Sequence, residues 1–154
     1  LNLGTWLADQ ALAIAHTHGL EAGQVQVEID PENTTVFTDP GQLRQVIEVL
    51  CDNSVSHFDQ DKSLMNIRLV GGITTESGGP FLELRDNGPG VPTDAQSKLF
   101  EPFFTTRNEG TGLGLYIARQ LCEANHVRIE YLAQPTGGSC FRLSFPSPRR
   151  SRPL

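Results

Sequence analysis

Residues 110–115 read Gly110-Thr111-Gly112-Leu113-Gly114-Leu115. A helical pattern begins within this stretch, at about Gly112, and runs to Glu123. Alternating glycines let a backbone approach an anion closely and turn its N–H groups toward it. The N-terminus of the following helix adds about half a positive charge. The stretch therefore predicts a cradle for phosphate groups, with a plain Gly-rich loop as the alternative. It lacks the Lys of a Walker A loop, and no strand directly precedes it as in a Rossmann fingerprint.

Helical and strand-like segments alternate on both sides of this stretch. A helical pattern runs from Thr5, a predicted N-cap, to His18, with Gly19 as its stop, and a longer one starts at the N-cap Asp39 and runs to about Phe58. A short helix is predicted at about residues 92–99. Strands are predicted at residues 25–29, 36–37, 64–70, 81–85, 127–132 and 139–145, with Gly71-Gly72 ending the third of them. This order predicts an α+β sandwich with the helices on one side of a mixed sheet.

A second motif, Leu84-Arg85-Asp86-Asn87-Gly88-Pro89-Gly90, follows a predicted strand. Strand alternation places Asp86 on the same face as Leu82 and Leu84, which we take as the inner face. A carboxylate there needs a hydrogen-bond donor. The amino group of adenine is such a donor, and Gly88 and Gly90 would leave space for the base. A plain Asx turn is the alternative interpretation.

A third pattern lies on the long helix, where Val49, Asn53 and His57 are spaced by four residues and share one line beside the apolar stripe. The amide oxygen of Asn53 is a suitable ligand for a Mg²⁺ ion held mostly by phosphates and water. The ring of His57 can donate to a phosphate. The alternative is that both residues are ordinary exposed helix positions.

A fourth motif is the run Leu99-Phe100-Glu101-Pro102-Phe103-Phe104-Thr105-Thr106, which precedes the glycine stretch. Three phenylalanines in five residues are unusual for a solvated loop, and they predict one anchored end of a mobile lid. A hydrophobic loop packed on the sheet is the alternative.

Composition excludes several classes of protein. The 154 residues carry a net charge of −6, so a nucleic acid is not an expected partner. No run approaches the roughly 20 apolar residues of a membrane span, and no signal peptide is recognisable. Cys51, Cys122 and Cys140 are predicted to be buried thiols in a reducing cytoplasm. We expect one domain over residues 1–146 and a disordered basic tail over residues 147–154.

Along the chain, the Asn53 helix comes first, then the Asp86 turn, the Phe-rich segment and the glycine stretch. Motifs in that chain order resemble those of the ATP-binding catalytic domain of bacterial sensor histidine kinases, in the wider group of gyrase, Hsp90 and MutL. The resemblance runs from about Leu3 to Phe145. Asn53 stands in the N box, and residues 86–90, 100–104 and 110–115 stand in the G1, F and G2 boxes. Residues 100–125 are most similar to sensor kinases of type IV pilus systems. The resemblance implies a Bergerat-type sandwich: a mixed, mostly antiparallel sheet of about five strands, covered on one face by about three helices.

The resemblance also implies roles. Asp86 would bind the adenine amino group, Asn53 would hold Mg²⁺, and residues 103–110 would form a short ATP lid. The residues implied to bind ATP are Asn53, His57, Asp86, Gly88, Gly90, Phe104, Thr105, Thr106, Arg107, Gly110, Thr111, Gly112, Leu113, Gly114 and Leu115.

The implied function is to supply the γ-phosphate of ATP to a histidine on a dimerisation helix of the same kinase, for relay to a response regulator, such as a sigma-54-type activator. None of the four histidines here precedes an acidic residue, so we expect the acceptor to lie outside this chain. We expect the domain to be monomeric and cytoplasmic, in a sensor anchored in the inner membrane. The surface near Phe103 and Phe104 is the predicted docking patch for the dimerisation helix.

Two positions depart from the family pattern. Val49 stands where many members have a second Asn or a Glu, and Ser56 stands where a basic residue is common. We therefore expect nucleotide binding to persist with lower affinity. These departures keep open a regulatory, pseudokinase-type module of the same fold. An anti-sigma serine kinase or a gyrase-type ATPase is a further alternative, and the absence of a Glu at position 49 disfavours the latter.

Overall fold

The computed structural model describes residues 1–76, 78–105 and 112–147. Within them the chain forms four α-helices: α1 (Leu3–His18), α2 (Pro40–His57), α3 (Thr93–Gln96) and α4 (Gly114–Ala124). It also forms five strands: β1 (Val25–Asp30), β2 (Ile67–Ile73), β3 (Pro80–Asp86), β4 (Arg128–Tyr131) and β5 (Ser139–Ser144). Two short 3-10 turns lie at Ala22–Gln24 and Lys62–Leu64. No helix among the described residues is long and apolar enough to cross a bilayer.

The strands form one sheet in the order β1-β2-β3-β5-β4. Only β1 and β2 run parallel, and the other three neighbouring pairs are antiparallel. The three long helices cover one face, where their apolar stripes and inward strand residues such as Leu69, Leu84 and Phe141 form the core. The predicted two-layer α+β sandwich with a mixed, mostly antiparallel sheet is confirmed.

The helix ends follow local capping chemistry. Gly19 closes α1 with a left-handed φ of 66°, and the carboxylate of Asp39 accepts from the N–H of Gln42 at the start of α2, both as predicted. The predicted N-cap Thr5 is wrong, because α1 begins two residues earlier. Its cap is Asn2, whose side-chain oxygen accepts from the backbone N–H of Thr5. Asn is a more favourable N-cap residue than Thr. The amide oxygen of Asn2 reaches the N–H three residues later in the chain.

Two strand predictions are wrong. Residues 36–37 are not in a strand, because the only pairing here is an isolated bridge between Asn2 and Thr35. The pair Gly71-Gly72 does not end β2, which continues through both glycines to Ile73. The close approach of β3 explains why glycine stands inside the strand, because a Cβ at Gly71 would lie 2.7 Å from the carbonyl oxygen of Phe81. The glycines therefore allow close strand pairing instead of ending the strand.

The opposite face of the sheet is polar and is organised around one buried carboxylate. The side chain of Glu83 is 3% exposed and accepts hydrogen bonds from Nε of Arg85 at 2.9 Å and Nε of Arg142 at 2.7 Å. The Arg142 guanidinium also lies 4.9 Å from the centre of the Phe81 ring. Burial favours a higher pKa for Glu83, but these donors outweigh burial and hold that pKa below its ordinary value.

The three cysteines are buried free thiols, as predicted. Burial raises the pKa of Cys122 to about 12 and the pKa of Cys140 to about 11, and it raises the pKa of Cys51 further. High thiol pKa values leave almost no thiolate at neutral pH. Cys51 and Cys122 therefore behave as small core residues, whereas Cys140 lies beside Glu83 and Arg85 on the polar face of the sheet.

Candidate functional site

A cavity of about 330 Å³ lies between α2, the loop that follows β3, and the start of α4. Its wall contains most of the described residues that the sequence predicts to bind a ligand: Asn53, His57, Asp86, Gly88, Gly90, Phe104, Thr105, Gly112, Gly114 and Leu115. The described residue Leu113 is not in this wall. Residues 106–111 lie outside the described part of the chain, and so do the predicted contacts Thr106, Arg107, Gly110 and Thr111. The four motifs, which lie between Val49 and Leu115 in the sequence, thus converge on one cavity.

The carboxylate of Asp86 lies in the wall of this cavity and is held by three donors among the described residues. Its Oδ1 accepts from the backbone N–H groups of Gly88 at 2.9 Å and Ser139 at 3.2 Å. Its Oδ2 accepts from the hydroxyl of Ser54 on α2 at 2.6 Å. The prediction that Asp86 faces inward is confirmed. The Gly88 contact is also the Asx turn of the alternative interpretation, so the two interpretations describe the same geometry.

One face of α2 forms a second wall. Val49, Asn53 and His57 all line the cavity, as their spacing predicts. The ring Nδ1 of His57 lies 2.8 Å from the backbone oxygen of Asn53, and since a carbonyl only accepts, this nitrogen donates. Glu48 points away and pairs with Arg44 across 3.9 Å, so it does not replace the missing polar group at Val49.

Phe103 and Gly112 join the two ends of the segment that carries the predicted lid. The N–H of Phe103 donates to the carbonyl oxygen of Gly112 at 2.9 Å. Gly112 has a φ of +73°, and a Cβ there would lie 2.4 Å from the Phe103 carbonyl carbon. Only glycine fits this contact. Phe104 and Thr105 line the cavity, whereas Phe103 is 75% exposed to solvent.

The first turn of α4 faces the cavity through Gly114 and Leu115, and no side chain of the described residues caps this turn. A Cβ at Gly114 would lie 3.4 Å from Cγ1 of Val49, so the two helices approach closely here. At the other end of α4, the side-chain oxygen of Asn125 accepts from the N–H of Asp39 at 3.0 Å. The Asn125 amide also donates to the side chain of Gln42. Polar contacts at one end and close packing at the other fix the distance between the two helical walls.

Sequence reasoning assigned no site role to five residues of the wall: Asp52, Ser54, Val91, Pro92 and Ser139. Ser54 carried a signal, because it lies on the apolar stripe of α2, one turn after Leu50, and a buried hydroxyl needs a partner. Asp52 is 69% exposed and pairs with Nε2 of His18 across 3.1 Å. Ser139 contributes its backbone N–H, which no sequence pattern reveals.

The charge of the cavity is uneven. Two carboxylates, Asp52 and Asp86, lie in the described wall, together with His57 and without any Lys or Arg. The Asp86 end offers a fixed acceptor for an N–H donor. The α4 end offers backbone N–H groups and a helix N-terminus, which favour an anion. The cavity therefore suits an elongated ligand with an amino group at one end and negative charge at the other.

Comparisons with known proteins agree with this geometry. A family model described as "Histidine kinase-, DNA gyrase B-, and HSP90-like ATPase" matches residues 38–149. Sensor protein kinase PilS of Pseudomonas aeruginosa is 44% identical over 131 residues, which are 85% of this chain and 23% of the relative. Sensor histidine kinase YkoH of Bacillus subtilis is 31% identical over 127 residues, or 79% of this chain and 26% of the relative. The chain thus spans about a quarter of these relatives.

Solved structures show the same fold. The catalytic domain of histidine kinase ThkA superposes with a TM-score of 0.75 at 23% identity, covering 96% of this chain and 93% of that one. Full-length ShkA, solved in complex with AMPPNP, gives a TM-score of 0.73 at 25% identity, covering 95% of this chain and 30% of that one.

Proposed function

Because this chain belongs to the histidine kinase-, DNA gyrase B- and HSP90-like ATPase family, we propose that its cavity binds ATP with Mg²⁺ and presents the γ-phosphate to a histidine on a separate dimerisation helix. The prediction of a histidine-kinase-type ATP-binding domain is confirmed by the family match and by relatives that are named sensor kinases. The specific roles of residues, the metal and the partners are parts of the proposal.

The observation that carries the proposal is the fixed Asp86 carboxylate in the wall of the cavity. Three donors hold it, and it lines a space of about 330 Å³, within the range of ordinary small-molecule sites. The adenine amino group would donate to this carboxylate. Gly88 and Gly90 would lie against the base, because they follow Asp86 directly and form the same wall.

The phosphate end would be held by backbone groups. Gly112, Gly114 and Leu115 lie at the start of α4, where N–H groups and the helix dipole attract phosphate oxygens. Leu113 would contribute its main chain, and Thr105 its hydroxyl. From the segment outside the described residues we propose four further contacts: Thr106, Arg107, Gly110 and Thr111.

The donor set fits a magnesium ion, which prefers oxygen ligands and retains several waters. Asn53 would offer its amide oxygen, since it lies on the cavity face of α2, and His57, one turn further, would contact a phosphate. When bound, the ion neutralises charge on the transferring phosphoryl group. This chain's residues bind the base, orient the triphosphate and exclude water. The acceptor histidine, the dimerisation helix and a response regulator, for instance a sigma-54-type activator, belong to the rest of the kinase.

The similarity to PilS over 85% of the chain supports a place in type IV pilus regulation. The remaining proposals concern the whole kinase. The kinase would be anchored in the inner membrane with this domain in the cytoplasm, and the isolated domain, residues 1–146, would be monomeric without affinity for nucleic acid. The basic tail begins at Ser147, and its residues 148–154 lie outside the described chain.

Calorimetric titration of this chain with ADP and a non-hydrolysable ATP analogue, with and without Mg²⁺, tests the proposal. We expect saturable binding, and we expect Asp86→Asn to weaken it by about 10- to 100-fold, the usual loss for a hydrogen bond to a charged group. The control is Asp94→Asn, since Asp94 is an exposed residue of α3 outside the cavity wall. Absence of binding at millimolar nucleotide would refute the proposal.

A second candidate function, a regulatory nucleotide-binding module without kinase activity, is favoured by one observation. The described wall has Val49 at the phosphate end and no Lys or Arg. Adding the dimerisation helix of the same kinase in trans separates the two functions. Phosphorylation of its histidine supports the kinase, and nucleotide binding without phosphorylation supports the regulatory module.

A further inference from the structure

Ser54 is the buried partner of the proposed adenine-binding carboxylate. It is 3% exposed, and its hydroxyl donates to Oδ2 of Asp86 at 2.6 Å. That distance is typical of a hydroxyl that donates to an ionised carboxylate, one of the stronger hydrogen bonds in proteins. The backbone of Ser54 is fixed as well, because α2 buries Leu50 and Cys51 in the core one turn before it. Among the described residues, the hydroxyl therefore has one hydrogen-bond partner, Asp86.

The hydrogen bonds that Asp86 accepts from the described residues leave a single acceptor direction for a ligand. Each carboxylate oxygen accepts about two hydrogen bonds. The two backbone donors, Gly88 and Ser139, occupy Oδ1. Ser54 occupies one of the two directions at Oδ2. The remaining direction belongs to Oδ2, and both Asp86 and Ser54 line the cavity. Ser54 thus decides which oxygen, and which side of it, receives a ligand.

The same bond fixes the polarity of this end of the cavity. A hydroxyl has one hydrogen, and that of Ser54 is already donated to Asp86. Toward the cavity, the pair therefore presents acceptors only. A ligand edge with an N–H group matches it, whereas a carbonyl oxygen at the same place would meet two acceptors and remain unpaired, which costs binding energy.

We infer that Ser54 is a positioning residue that holds Asp86 in its ligand-ready orientation and makes this cavity select purines with an amino group at position 6. The inference rests on the proposed nucleotide-binding function and deepens it. Ser54 acts through Asp86: it keeps Oδ2 in place before the ligand arrives, so that binding does not have to order the carboxylate.

The test compares three nucleoside diphosphates on this chain by calorimetry: ADP, inosine diphosphate with a 6-oxo group, and purine riboside diphosphate with hydrogen at position 6. The wild-type chain should bind ADP at least about tenfold more tightly than the other two. Ser54→Ala should weaken ADP by about tenfold and leave purine riboside diphosphate unchanged, so that the preference for the amino group is largely lost.

Thr34→Ala is the matched control. Thr34 is also buried, at 2% exposure, and its hydroxyl donates to the carbonyl oxygen of Pro31 at the same 2.6 Å. It lies outside the cavity wall. Loss of this hydroxyl should lower the melting temperature without changing the ratio of the dissociation constants of purine riboside diphosphate and ADP. Ser54→Cys, which keeps the size and weakens the donor, should reduce the ratio in part and serves if the Ala variant does not fold.

Equal weakening of ADP and purine riboside diphosphate by Ser54→Ala and Ser54→Cys would mean a purely structural role, and it would overturn the inference. Unchanged ADP binding in these variants would do the same, as would wild-type binding of inosine diphosphate as tight as that of ADP. If the wild-type chain binds none of the three nucleotides, the proposed function fails together with this inference. The two failures are therefore distinguishable.

Discussion

Gly138, in the turn that leads into β5, lies directly against the backbone of Asp86: a Cβ at Gly138 would stand 2.2 Å from the Asp86 carbonyl oxygen. The neighbouring Gly137 has nearly the same φ, +88° against +86°, but nothing lies within 4 Å of its Cβ position. An alanine at Gly137 would therefore meet only backbone strain, whereas an alanine at Gly138 would meet the same strain and a steric clash with Asp86. The turn also presents the Ser139 N–H to Asp86, so its position affects the site.

The first prediction follows from this pair. Gly137→Ala should cost about 1–2 kcal/mol of unfolding free energy, the usual penalty for a left-handed alanine. Gly138→Ala should cost clearly more, because the strand ends must also separate, and it should weaken ADP binding. Urea denaturation and calorimetry of both variants measure this. Equal losses of stability would contradict the close packing of Gly138 on Asp86.

The second prediction concerns Glu83 on the polar face of the sheet. Glu83→Gln should cost about 2–3 kcal/mol at pH 7, because a buried carboxylate loses its charge-assisted bonds to Arg85 and Arg142. The pKa of Glu83 is lower in the folded chain than its ordinary value of 4.5. The stabilisation of the folded chain by the Glu83 carboxylate is therefore fully present above pH 4.5 and is lost as the pH falls through the pKa of Glu83 in the folded chain. Denaturation at pH 7 and below pH 4 should show the cost of the substitution shrinking.

Glu28→Gln is the control for this substitution. Glu28 pairs with Arg68 on the same face, but its side chain is 47% exposed. An exposed pair contributes about 0–1 kcal/mol. A cost of Glu83→Gln that is as small as this, or that does not change with pH, would show that the buried cluster contributes little.

The third prediction concerns the metal end of the cavity. Val49 lies one helical turn before Asn53 on the same wall, so Val49→Asn adds a second amide oxygen there. We expect Mg²⁺ to raise the affinity for the ATP analogue by about fivefold more than in the wild-type chain, while affinity for ADP without Mg²⁺ stays the same. Asn53→Ala should remove the effect of Mg²⁺.

The control is Gln45→Asn, at an exposed position of the same helix outside the cavity wall. It should reproduce the wild-type response to Mg²⁺ in the same titrations. If Asn53→Ala retains that response in full, Asn53 is not the metal ligand.

The fourth prediction separates two adjacent phenylalanines. Phe103 is 75% exposed, whereas Phe104 lines the cavity. Phe103 has a φ of 67°, which Asn tolerates better than most residues, so Phe103→Asn should fold. It should bind ADP normally but slow phosphorylation of the dimerisation helix, because the proposed docking surface loses its apolar side chain.

Leu64→Asn is the matched control, since Leu64 is 58% exposed on a different part of the surface. Its rate of phosphorylation should equal that of the wild-type chain. If Phe103→Asn also phosphorylates the dimerisation helix at the wild-type rate, the proposed role of Phe103 in docking is wrong.

Local chemistry in the sequence predicts much of this protein correctly. The N-cap Asp39, the stop at Gly19 and the apolar stripe of α2 depend on neighbours within about one helical turn, so short stretches are sufficient to place them. The line of Val49, Asn53 and His57 is likewise a property of the helix alone. The motifs and their order indicate the family, and strand alternation correctly orients Asp86.

What the tertiary structure decided are contacts between segments that are distant in the chain. Gly71-Gly72 read locally as the end of a strand, but both continue β2. Gly71 lies against Phe81 of β3 and Gly72 against Asp30 of β1, each too closely for a side chain. The hydroxyl of Ser54, the N–H of Ser139 and the carboxylate of Asp86 meet only because α2, β5 and β3 pack together. A sequence specifies which groups exist and how they repeat along a helix or strand. Which of them share a buried hydrogen bond depends on three-dimensional packing, because burial and distance are properties of the assembled fold.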